Sequence, residues 1–75
     1  TDASFVPEIA REAAAEGNSA FARRDYPRAR RAYQKVLELV PDNLLALVNL
    51  GVIEFYAGEN AAAEKHLKRA VQLKL

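Results

Sequence analysis

The sequence predicts an all-α chain of four antiparallel helices, paired as two copies of one helix-turn-helix unit. Three observations carry that expectation. Ala, Leu, Glu, Arg and Lys dominate the 75 residues, and all are good helix formers. Pro27, Pro41 and Gly58 sit where they divide the chain into short helical segments. A set of residues also recurs 34 positions apart, which marks an internal repeat.

The first helix is expected from about Phe5 to Arg23, with Ser4 as N-cap and Pro7 tolerated in the first turn. The second runs from about Tyr26 to Val40, capped by Asp25. Pro41 ends it, because the residue before a proline is pushed out of the helical region. The third spans about Asn43 to Ala57, capped by Asp42 or Asn43 and stopped by Gly58 in the left-handed position that follows a helix. The fourth starts after Asn60 and continues to the end. Links this short imply antiparallel neighbours.

The repeat is read from Gly17/Gly51, Phe21/Phe55, Ala29/Ala63 and Leu39/Leu73, with Asp25/Glu59, Arg31/Lys65, Lys35/Arg69 and Leu37/Val71 matched in character. A mid-helix glycine costs about 1 kcal/mol against alanine. Two of them at one register therefore signal a neighbouring helix passing too close for a side chain. Ala29 and Ala63 are the expected small residues opposite, with Tyr33 and Leu67 filling a wider gap one turn later.

These positions resemble the tetratricopeptide repeat, whose pattern is W-x2-L-G-x2-Y, then A-x3-F, then P over 34 residues. The second unit reads Leu47-x2-Leu50-Gly51-x2-Glu54, then Ala63-x3-Leu67. The first reads Ala13-x2-Glu16-Gly17-x2-Ala20, then Ala29-x3-Tyr33, then Pro41. Arg24-Asp25-Tyr26 looks like the family's inter-helix turn, and Leu39-Val40-Pro41-Asp42-Asn43 like its join between repeats. The resemblance implies one domain over 1–75, a right-handed α-solenoid with repeats at 10–43 and 44–75. The second repeat is truncated without a polar capping helix, as in an excerpt of a longer protein. Unit one departs at Ala13, Glu16 and Ala20, which are small or charged where large apolar residues are usual, so its first helix should pack less tightly. Unit two departs at Glu54.

Chemistry is not expected. With no Cys and one His, the chain has neither a thiolate nucleophile nor a metal ligand set. His66 reads as a solvated surface residue. Ser4 and Ser19 lie in no nucleophile elbow, and the three glycines form no phosphate loop. The Glu8, Glu12 and Glu16 stripe reads as a solvated helix face near a favourable dipole end. No enzyme activity, cofactor or metal is therefore expected. A net charge of +1 gives little field to draw nucleic acid or anionic lipid. The row Arg24, Arg28, Arg31 and Lys35 could track phosphates, but no aromatic residue alternates with it for stacking. No span of about 18 apolar residues and no signal-peptide pattern is present, which favours a cytoplasmic setting. Richness in Ala and Arg is compatible with a bacterial source of high GC content.

The resemblance also places a ligand groove on the first helix of each unit. Its positions here are Arg11, Ala14, Ala15, Asn18, Phe21 and Ala22, then Leu45, Val48, Asn49, Val52, Phe55 and Tyr56. Read alone, Leu44 to Ala57 is apolar nearly all round, and helix packing accounts for Leu44, Leu47, Leu50 and Ile53. The remaining stripe of Leu45, Val48, Val52 and Phe55 suits an amphipathic helix or extended peptide, or a neighbouring repeat or second copy. The implied function is a protein-binding scaffold for a protein or peptide partner. A structural or self-associating solenoid segment is the alternative, a nucleic-acid binder the remaining one. One subclass clamps acidic chaperone tails. Asn18 and Asn49 match its two Asn positions, but Ala14 stands at its first Lys, so the clamp is not expected. Leu67, Val71, Leu73 and Leu75 would lie open at the last helix, so weak self-association, such as a homodimer, is expected.

Overall fold

The structure, a computed structural model, describes residues 7–74. Within them the chain forms α1 (Glu8–Ala22), α2 (Tyr26–Leu39), α3 (Leu44–Tyr56) and α4 (Asn60–Lys74) and no strand. The expected start of α1 at Phe5 is corrected to Glu8. Pro7 is extended at ψ 153° and its carbonyl accepts from the Ala10 N–H at 2.9 Å, so Pro7 itself occupies the cap position. Ser4 and Phe5 lie outside the described residues. Asp25 caps α2 by accepting from the Arg28 N–H at 3.4 Å, and Asn43 caps α3 from the Ala46 N–H at 2.9 Å.

The two hairpin turns have the same construction, 34 residues apart. Arg24 and Gly58 both adopt a left-handed backbone, at φ 62° and 80°. The Asp25 N–H then reaches the Ala20 carbonyl at 2.9 Å, as the Glu59 N–H reaches that of Glu54 at 2.8 Å. Glycine enters this region without steric cost and arginine does not. Unit one therefore holds its turn by hydrogen bonds against a local preference that unit two does not have to overcome.

α1 packs on α2 and α3 on α4, while α2 against α3 joins the two hairpins. The core is Ala10, Ala14, Ala20, Ala29, Tyr33, Val36, Ala46, Leu50 and Ile53. Alanines on α1 let the helices approach, and Tyr33 fills the space they leave. A Cβ on Gly17 would stand 2.7 Å from the Tyr33 ring, and one on Gly51 2.6 Å from Leu67 Cγ. The glycines thus make room for side chains: Tyr33 and Leu67 lie directly over them, rather than one turn beyond. Arg69 to Asp42 (2.9 Å) and Arg30 to Glu59 (3.1 Å) tie helices to the turns beside them. Pairs this exposed add little each.

Candidate binding face

Tyr33 is 1% exposed, yet its hydroxyl reaches the face shared by α1 and α3. There it donates to Asn18 Oδ1 at 2.7 Å and accepts from Asn49 Nδ2 at 2.9 Å. One oxygen on α2 therefore fixes two side-chain amides on two other helices. Burial pushes the Tyr33 phenol above its ordinary value of 10.0, while the bond from Asn49 opposes that rise. Asn18 keeps both N–H donors unspent, and Asn49 keeps its oxygen and one N–H. That remainder is a donor and acceptor set of the kind a peptide backbone satisfies.

Around this pair the expected groove residues divide by exposure. Leu45, Val48, Phe55 and Tyr56 are exposed, Val52 and Asn49 half-buried, and Asn18, Arg11, Ala15 and Ala22 exposed. Ala14 is buried in the core, so it lines no open surface. Phe21 is half-buried and sits edge-on to both Tyr33 (6.3 Å) and Tyr26 (5.8 Å). Tyr26 in turn meets Tyr56 at 5.8 Å. The rings form a continuous line from core to surface, ending at a cleft of about 410 Å³ bordered by Tyr26, Tyr56, Arg30 and Arg31. On α4, Val71 is exposed while Leu67 and Leu73 are half-buried, and Leu75 lies outside the described residues.

Three of the four residues of the basic row, Arg28, Arg31 and Lys35, lie exposed on α2. Arg24 belongs to the turn rather than to α2, Arg28 lies 3.6 Å from Asp25, and Lys35 lies 3.9 Å from Glu38. Arg31 remains exposed on the helix.

His66 corrects the sequence reading. It is half-buried, and its Nδ1 lies 2.7 Å from Oε1 of Glu54, whose side chain is 7% exposed. The counterparts in unit one, Ala20 and Ala32, are both buried alanines. Sequence reading missed the pair because the partners sit twelve residues apart on different helices. The available signal was Glu54 itself, a carboxylate amid an apolar helix. Ser19 accepts from Arg23 at 2.7 Å and lies away from this pair. Among the described residues, no group of three His, Cys, Asp or Glu could hold a metal ion. Replacing His66 by Ala should cost about 1–3 kcal/mol, because it strands a buried carboxylate. The double change to Ala at 54 and 66 should cost less, since it reproduces the alanine pair of unit one. Urea melts of the three variants check this; a neutral His66→Ala would show that the pair is not structural.

No helix of the described residues is long and apolar enough to cross a membrane. A family model for the tetratricopeptide repeat matches residues 14–74. Among curated proteins, the chain is 43% identical over 49 residues to the DnaJ homolog subfamily C member 7 homolog of Schizosaccharomyces pombe, covering 65% of this chain and 10% of that protein. It is 44% identical over 50 residues to the putative cellulose synthase operon protein C of Escherichia coli O157:H7, covering 67% of this chain and 4% of that protein. The chain thus spans a tenth or less of the relatives it matches. No solved structure matches it.

Proposed function

Because the chain belongs to the tetratricopeptide repeat family, whose members scaffold protein interactions, we propose that its α1–α3 face holds an extended peptide of a partner protein without catalysis. The observation that carries this reading is the Asn18–Tyr33–Asn49 array. Amides fixed before binding lose less entropy on engaging a ligand. Asn18 would donate to a peptide carbonyl, and Asn49 would accept from the next N–H. Leu45, Val52 and Tyr56 supply apolar contact beside them. The names of the two relatives share no process, so they lend this chain no particular partner.

Panning a phage-displayed library of random peptides tests the proposal. Enriched peptides should bind the wild type, and Asn18→Ala or Asn49→Ala should each weaken binding about tenfold, or ~1.4 kcal/mol. Val52→Glu should abolish it with the helical signal unchanged. Failure to enrich any peptide, or equal binding to the doubly substituted Asn18→Ala/Asn49→Ala protein, sinks the reading. The structural alternative, a segment with no separate ligand, is favoured by one observation: Val48 and Phe55 of α3 and Val71 of α4 are apolar and exposed.

A further inference from the structure

We infer that a second copy of this chain docks the acidic side of its α1 into the cleft between α2 and α4. Charge divides by helix. α2 carries Arg28, Arg30, Arg31 and Lys35 against Glu38 alone. α4 carries Lys65, Lys68, Arg69 and Lys74 against Glu64 alone. The other two helices have the opposite sign, with Glu8, Glu12 and Glu16 against Arg11 on α1, and Glu54 as the one charge of α3. Faces of unlike sign attract between copies. A net charge of +1 leaves almost no overall repulsion to oppose them.

The basic side also has room for an occupant. A cleft of about 590 Å³ opens between α2 and α4, with Leu37, Pro41, Leu47 and Ala61 as its apolar lining. Of its charged groups, Arg69 is held by Asp42 at 2.9 Å and His66 by Glu54 at 2.7 Å. Lys65 and Lys68 are exposed and, like Glu64 beside them, make no ion pair among the described residues. Such a cleft suits an apolar side chain flanked by carboxylates. α1 carries that combination. Ile9 is 72% exposed, and Glu12 and Glu16, also exposed, share its face at i+3 and i+7. Arg11, two residues from Ile9, lies off that face. Seating Ile9 in the cleft removes apolar surface from water and brings both glutamates to the two lysines. Pairs at an open rim are individually weak and screened by salt, so the association is weak and salt-sensitive. None of Ile9, Glu12, Glu16, Lys65 or Lys68 belongs to the proposed peptide face, so either reading can fail alone.

Sedimentation equilibrium of the 75-residue chain provides the test. Mean mass should rise with concentration over roughly a hundredfold range at ~50 mM salt, and return toward the monomer at ~500 mM. Glu12→Lys/Glu16→Lys and Lys65→Glu/Lys68→Glu should each stay monomeric with the helical signal unchanged, since all four side chains are exposed. Combining the four substitutions reverses both faces and keeps the net charge, so that protein should associate again. Ile9→Ser should weaken association about tenfold. A monomer at every concentration in low salt would overturn the inference, as would a fourfold variant that stays monomeric. So would association that survives high salt or either charge reversal, or that Phe55→Ser abolishes, because apolar surface elsewhere would then hold the second copy.

Discussion

Replacing Tyr33 by Ala should leave the protein largely unfolded at room temperature. Loss of a fully buried ring costs about 3–5 kcal/mol, and a chain of this length has a total stability of similar size. The position is costly for a second reason. Tyr33 touches Gly17 and Asn18 on α1, Phe21 beside them, and Asn49 on α3, so one residue joins both hairpins. Tyr33→Phe should be much milder, about 1 kcal/mol for the lost hydroxyl bonds. Thermal melts followed by circular dichroism separate the two; equal loss would mean that the hydroxyl, not the ring, carries the position. The phenol adds a pH signature. Its folded value lies above the ordinary one, so its contribution is complete below about pH 10 and disappears as pH rises through the folded value. Wild-type stability should therefore fall on the alkaline side, and Tyr33→Phe should flatten that fall.

Gly17→Ala should cost more than Gly51→Ala, although both add one methyl at the same register. The added Cβ at 17 would stand 2.7 and 2.9 Å from two atoms of the Tyr33 ring. That ring is buried, rigid and held at its hydroxyl by two amides, so the helices must move apart. Overpacking of this kind costs about 1–3 kcal/mol, well beyond the small gain in helix propensity. At 51 the obstacle is Leu67, a half-buried aliphatic chain that can turn toward solvent. Denaturant melts of both variants give the comparison directly. A Gly17→Ala protein as stable as the wild type would show that the close approach is softer than its distances indicate.

How much was legible follows from how local each determinant is. Asp25, Asn43, Pro41 and Gly58 act within a few residues of themselves, so they disclosed their helix ends. Pro7 misled because a proline near a helix start suits the first turn and the cap alike, and only its ψ separates them. The 34-residue spacing carried the glycine register across the chain, since both units solve one packing problem. It could not carry the Glu54–His66 pair, which replaces two alanines in one unit alone. The repeat pattern placed Asn18 and Asn49 in one groove without joining them. Their union needed a hydroxyl from a third helix, and that depends on tertiary placement.

The matched turns at Arg24 and Gly58 have a kinetic consequence. Each closes a hairpin between helices adjacent in the chain, so most packing partners lie close in sequence. Low contact order of this kind belongs to chains that fold in microseconds to milliseconds. Either hairpin can nucleate first, and the slower event is their docking, which brings Asn49 to the Tyr33 hydroxyl that already holds Asn18. The binding face is then the last part of the molecule to exist, and the first to disperse when the hairpins separate.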